Sequence, residues 1–118
     1  MASHNETGKE GEELALGWLR KNGFEILHAN WRYSRYEIDI IAKKDSLLHI
    51  IEIKSRNHFP GAHPEENVSK KKFRFLKSAA EEFLYQHPEY KDLRFDVLAI
   101  TLHKFKEPEF FFIEDVFL

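Results

Sequence analysis

Asp39, Glu52 and Lys54 are the residues with which this chain could do chemistry. They lie in one run, Glu37-Ile38-Asp39-Ile40-Ile41-Ala42, Lys43-Lys44-Asp45-Ser46, Leu47-Leu48-His49-Ile50-Ile51-Glu52-Ile53-Lys54. This is two apolar, strand-like segments joined by a short polar turn. With the four polar residues as the hairpin loop, Ala42 faces Leu47, Glu37 sits opposite Glu52 and Asp39 opposite Ile50. Side chains alternate along a strand, so Glu37, Asp39 and Ile41 share a face with Leu48, Ile50, Glu52 and Lys54. Three carboxylates and one amine then converge. Asp39 and Glu52 become diagonal neighbours, with Cα atoms roughly 7–8 Å apart, and both can reach one cation between them.

Like charges held together on a half-buried sheet cost free energy unless a metal, a lysine or a proton offsets them. A hard divalent ion with oxygen ligands, Mg2+ or Mn2+, is the natural partner of such a pair. Lys54 would lie beside it. The same residues also suit a charged, solvated edge strand. The register decides between the two, because a loop one residue longer turns one strand's whole set to the other face.

The remaining chain has to hold these strands in place. A length of 118 residues, 42% of them hydrophobic and 14% aromatic, predicts one domain over 1–118 with a sizeable core. Eleven Phe against one Met suggest an aromatic-filled interior. There is no cysteine, which excludes disulfides and thiolate metal sites and is compatible with a reducing compartment. No apolar run approaches the length of a membrane span and the N-terminus lacks the regions of a secretion signal, so a cytoplasmic protein with no membrane partner is expected. A net charge of −2 means that any contact with nucleic acid depends on a local basic patch.

In chain order, Thr7 caps a predicted helix from Gly8 to Asn22, with Leu14, Ala15, Trp18 and Leu19 as its apolar stripe and Gly23 as its terminator. Gly8 and Gly11 weaken its first turns and suggest a close approach by another element. Glu12 shares a face with Ala15, Leu16 and Leu19, at or near the buried side, yet with nothing further it reads as a solvated residue near the helix N-terminus, where a carboxylate is favourable. Residues Phe24 to Tyr33 read as a strand with Phe24 and Ile26 on one face. Arg32, Tyr33, Arg35 and Tyr36 follow as a turn whose cation–aromatic mixture suits either surface packing or a phosphate backbone.

Asn57 to Asn67 is rich in turn formers and predicts a loop beside the carboxylates. His58 and His63 within it have no zinc-site spacing, and all seven histidines read as non-ligands. Ser69 caps a second predicted helix from Lys70 to His87, with Phe73, Leu76, Ala80, Phe83 and Leu84 on its buried face. Lys70, Lys71, Lys72, Arg74 and Lys77 crowd its first turns, where the helix dipole disfavours cations. An anionic partner would explain that placement, as would a soluble face. Arg94 to Leu102 and Glu109 to Glu114 are further strands. The order α-β-β-β-α-β-β predicts an α/β fold, a mixed sheet of about five strands flanked by helices.

Taken together, Gly8-x-x-Gly11-Glu12-x-x-Ala15, Glu37-Ile38-Asp39, Glu52-Ile53-Lys54-x-Arg56, Lys72 and Arg94-Phe95-Asp96 resemble the YraN family of small uncharacterised bacterial proteins. That family is related to the Holliday junction resolvases and the restriction-endonuclease-like nucleases. The resemblance spans nearly the whole chain and implies a restriction-endonuclease-like core. It implies that Asp39, Glu52 and the Ile53 carbonyl hold Mg2+ or Mn2+, that Lys54 orients or activates the attacking water, and that Glu12 is an additional carboxylate. Arg56 and the basic start of the second helix, with Arg32 and Arg35, would contact the DNA backbone. One departure stands out: Tyr36 occupies the place where the family usually has Gly. Three functions follow as expectations: a metal-dependent DNA endonuclease acting on branched or double-stranded DNA, possible as a homodimer; a nucleic-acid-binding module with little or no cleavage; and a structural domain with solvated charges.

Overall fold

The structure, a computed structural model, describes residues 4–58 and 70–116. Helix α1 (His4–Lys21) leads into three antiparallel strands, β1 (Glu25–Tyr33), β2 (Tyr36–Lys44) and β3 (Leu47–Asn57). Helix α2 (Lys70–Gln86) carries the chain to β4 (Leu93–Leu102), parallel to β3, and β5 (Glu109–Ile113) closes the sheet antiparallel to β4. The five strands lie in the order β1-β2-β3-β4-β5. One apolar cluster joins α1 to one face through Ala15, Leu19, Ile40, Ile51, Leu98 and Ile100. The other joins α2 to the opposite face through Leu76, Ala79, Phe83, Ile41, Ile50 and Val97. The expected α/β sheet flanked by helices is what forms, in the expected order.

Three local expectations change. The first helix starts at His4, so Thr7 lies inside it and cannot be its cap. The Ser69 cap, His63 and most of the loop after Asn57 fall outside the described residues. The interior is built less from phenylalanine than from isoleucine: of the described Phe residues only Phe24 and Phe83 are buried, while Phe75, Phe105 and Phe111 are exposed.

Gly23 does end α1. At φ +90° it lets its own N–H reach the Arg20 carbonyl and the Phe24 N–H reach the Leu19 carbonyl, so two otherwise orphaned acceptors are satisfied. Phe24 then lands on Leu19 in the same apolar cluster.

Gly11 answers the question of what approaches α1. A Cβ at this position would stand 2.5 Å from Ser55 Oγ and 2.6 Å from Ser55 Cβ, so α1 crosses β3 closer than any other residue permits. Gly11→Ala is expected to destabilise the protein by about 1–3 kcal/mol, the usual cost of forcing a methyl group into a filled contact. Ser55→Gly removes the obstructing atoms, so the double variant should unfold at higher urea than Gly11→Ala alone. A double-mutant cycle by urea denaturation measures that coupling.

A second buried feature anchors the segment after β5. Asp96 accepts the Asp115 N–H at 2.8 Å and meets His49 Nδ1 at 2.5 Å. Both side chains are nearly closed to solvent. Burial pushes the Asp96 carboxyl above its ordinary pKa, against the pull of the Asp115 N–H and His49. The ring of Phe24 stands edge-on to His49, 5.1 Å away.

Candidate metal and phosphodiester site

The hairpin between β2 and β3 is tighter than the polar run Lys43–Ser46 predicts. Lys44 pairs with Leu47, and only Asp45 and Ser46 form the turn. Both have positive φ, 52° and 67°, the pairing of a type I′ turn whose twist matches that of the strands. The expected pairing of Ala42 with Leu47 is therefore replaced by Ala42 with His49. The slip is two residues, so the paired residues Ile40 to Lys44 and Leu47 to Ile51 keep their expected faces. Continued one residue past the last pair, this register would bring Asp39 opposite Glu52 instead of diagonal to it.

The β2–β3 pairing stops at Ile40 and Ile51, one residue short of the acids. Beyond it the ladder is replaced by a side chain: Asp39 Oδ2 accepts the Ile53 N–H at 2.9 Å. The alternation of β2 breaks at the same place. Ile38 and Ile41 belong to the α2 face, Ile40 and Ala42 to the α1 face. Asp39 sits at that break, in the fork between the two strands, and borders cavities on both sides of the sheet.

On the α2 side is a cleft of about 370 Å³ bordered by Asp39, Glu52, Glu37, Arg35, Tyr36, Lys71, Lys72, Phe75 and Leu76. On the α1 side a smaller one of about 160 Å³ is bordered by Asp39, Glu12, Asn30, Ile53 and Ser55. Glu12 is thus neither on the open surface nor beside Glu52. Asn30, at φ 54°, donates its amide to Glu12 Oε1 at 2.6 Å and fixes it at the back of Asp39.

Burial first, and the neighbouring Glu52 carboxylate second, raise the Asp39 pKa from 3.8 to about 7, although the Ile53 N–H and Lys72 oppose the shift. Glu52 is itself only 3% exposed. Its partner is Lys72, whose ammonium forms an ion pair with Glu52 Oε1. Despite the burial that works against its charge, that carboxylate holds the Lys72 ammonium above its ordinary pKa.

The buried Glu52 and the half-buried Asp39 carboxylates, with the Ile53 peptide between them, are a hard-oxygen donor set that fits Mg2+ or Mn2+, which take one or two carboxylates and fill the other positions with water and phosphate oxygens. Among the described residues no group of three acidic or imidazole side chains is placed to close around an ion. The set is therefore open, with Lys72 offsetting part of its negative charge.

The basic residues divide. Arg35 and Lys71 border the larger cleft. Arg32 lies in an exposed ion pair with Glu37 at 3.2 Å. Lys72, expected on a DNA backbone, is paired here with Glu52. Arg74 is exposed and outside both linings. Of Lys70 only the helical backbone is described. Lys54 is half-buried on the strand that carries Glu52 and does not line either cavity. Arg56 is half-buried, and its Nε has no hydrogen-bond partner among the described residues.

Spacing held one signal for Lys72. It stands four residues before the buried Leu76 and so shares the inward stripe of α2. Asn30 carried no comparable signal.

Comparisons with known proteins agree with this architecture. A family model described as "Uncharacterised protein family UPF0102" matches residues 11–100. A UPF0102 protein of Flavobacterium psychrophilum is 38% identical over 117 residues, covering 99% of this chain and 98% of its own. One from Chloroherpeton thalassium is 42% identical, covering 93% and 92%. Among solved structures, Hjc of Archaeoglobus fulgidus, a Holliday junction resolvase from an archaeal hyperthermophile, superposes with a TM-score of 0.52 at 22% identity, covering 87% of this chain and 74% of its own. The fold is shared with that resolvase. No described helix is long and apolar enough to cross a membrane.

Proposed function

The chain belongs to the uncharacterised protein family UPF0102, and from that membership, its resolvase-like fold and its paired acids we propose that it is a metal-dependent endonuclease hydrolysing DNA phosphodiester bonds, with branched DNA as its substrate. The observation that carries the reading is Asp39 and Glu52 meeting in the fork between β2 and β3, where Asp39 also holds the Ile53 N–H. A hydrolase of this kind needs buried anionic oxygens kept close against their own repulsion. That is the arrangement in which the Asp39 pKa rises to about 7.

Asp39, Glu52 and the Ile53 carbonyl would hold Mg2+ or Mn2+. The ion, when bound, supplies Lewis-acid charge at a phosphoryl oxygen and lowers the pKa of water. Glu12, held by Asn30 in the smaller cavity that Asp39 also borders, would be the additional carboxylate. Lys54, on the Glu52 side of β3, holds the attacking water or the charge that gathers on the phosphate. Arg35 and Lys71 at the mouth, with Arg56 further along β3, position the backbone without reading sequence, so binding should weaken steeply with added salt. Resolving a junction takes two nearly simultaneous cuts, which a pair of copies would deliver.

The test is incubation of linear duplex and four-way DNA with Mg2+ or Mn2+, wild type beside Glu52→Ala and Lys54→Ala. Metal-dependent products that vanish in both variants support the reading. Products that survive both would trace to a contaminating nuclease and sink it. DNA binding without cleavage would favour the second reading, a binding module, which has one observation on its side: a lysine ammonium already sits on Glu52.

A further inference from the structure

The cleft that contains Asp39 and Glu52 is only partly a charged site. Its outer wall is aromatic. The Tyr36 and Phe75 rings lie 5.4 Å apart at a tilt of 41°, with the buried Leu76 beside them. The Arg35 guanidinium stands 5.8 Å from the Tyr36 ring centre and 6.0 Å from that of Phe75. Lys71 Nζ stands 5.9 Å from the Phe75 ring. Phe75 is 37% exposed on an otherwise charged helix face. A phosphodiester alone would use the carboxylates and cations and leave these rings against water.

We propose that this wall holds an unpaired nucleobase next to the bond to be cut, so that the substrate is DNA with a nucleotide already out of the stack: a single strand, a flap or the open centre of a branch. The proposal rests on the nuclease reading of the same cleft and narrows its substrate class. In an intact duplex the bases face inward, and a phosphate brought to Asp39 and Glu52 presents no base to Tyr36 and Phe75. Extracting one costs free energy, least where it is already unpaired, whereas stacking on an aromatic side chain returns free energy for every base. The cleft therefore favours substrates that have met the unstacking cost beforehand. The flanking cations match the strand's charge, and about 370 Å³ is within the usual range for a ligand site. Tyr36 supplies half of this wall, and glycine at that position would remove it.

Two measurements test it. The first compares cleavage of one sequence as duplex and as single strand with Mn2+. Wild type should cut the single strand at least tenfold faster, Phe75→Ala should bring the ratio close to one, and Phe75→Tyr should keep it. Equal rates on both forms in wild type, or an unchanged ratio in Phe75→Ala, overturn the proposal. The second reads binding without hydrolysis: quenching of a 2-aminopurine base in a single-stranded oligonucleotide at low salt in EDTA. It should occur with wild type, be lost in Phe75→Ala and weaken in Tyr36→Gly, with thermal melts confirming that each variant is folded. Quenching without cleavage of any DNA would remove the hydrolytic reading and leave the base site standing. Absence of quenching in wild type would remove the base site even if cleavage is found.

Discussion

Asp39→Asn is expected to abolish metal-dependent cleavage while making the metal-free protein more stable. The loss should be about a thousandfold or more, because charge stabilisation at a metal site contributes several kcal/mol and each factor of ten corresponds to about 1.4 kcal/mol. Titration calorimetry with Mn2+ should show a matching fall in affinity. The gain follows from the raised pKa. With an ordinary value of 3.8 and a folded value of about 7, the folded protein binds more protons than the unfolded one between those limits. Stability in EDTA therefore falls as pH rises from about 4 to 7. Asparagine removes that dependence and still offers an oxygen to the Ile53 N–H. At 1.36 kcal/mol per pKa unit the variant should be more stable than wild type by about 4 kcal/mol at pH 8, and by little at pH 4. Thermal melts in EDTA at the two pH values check it, and equal differences at both would show that Asp39 is not held against its charge.

Asp96→Ala is expected to be the most damaging single change to stability away from the cleft. It strips His49 of a partner in a closed interior and leaves the Asp115 N–H without an acceptor. Breaking one side of a buried pair typically costs 3–5 kcal/mol, which for a chain of this size lowers Tm by about 10–20 °C. A second substitution makes the cause visible. With His49→Leu added to Asp96→Leu, the pair is replaced by apolar volume, and much of the loss should be regained. If the double variant melts no higher than Asp96→Leu alone, unpaired polarity is not the reason.

The strands and helices were legible because their periods are clean. Leu14, Ala15, Trp18 and Leu19 repeat as a helix must, and the Ile-rich runs before and after Asp45 can only be strands. The register was not, because Asp45 and Ser46 form a two-residue turn with φ values that usually call for glycine. Nothing in two ordinary polar residues announces that. A slip of two preserves the alternation among the paired residues, so the faces stay as read up to Ile40 and Ile51. What the sequence could not convey was the break at Asp39. Regular alternation assigns each residue to a face, and Asp39 belongs to neither, because its carboxylate replaces a backbone acceptor for Ile53. The reach of Lys72 was hidden for a related reason: cations at a helix start suggest outward charge, and only its spacing from Leu76 points inward.

The early end of the β2–β3 pairing has a mechanical consequence. Past Ile40 and Ile51 the ladder between those strands ends, whereas β3 and β4 remain in step from Leu48 and Leu93 through to Asn57 and Leu102. Strain from a bulky polyanion pressed into the gap would be absorbed by parting two prongs that the Asp39–Ile53 hydrogen bond joins in place of a ladder, while the long parallel seam alongside stays shut. The molecule is thus compliant at its mouth and stiff at its spine.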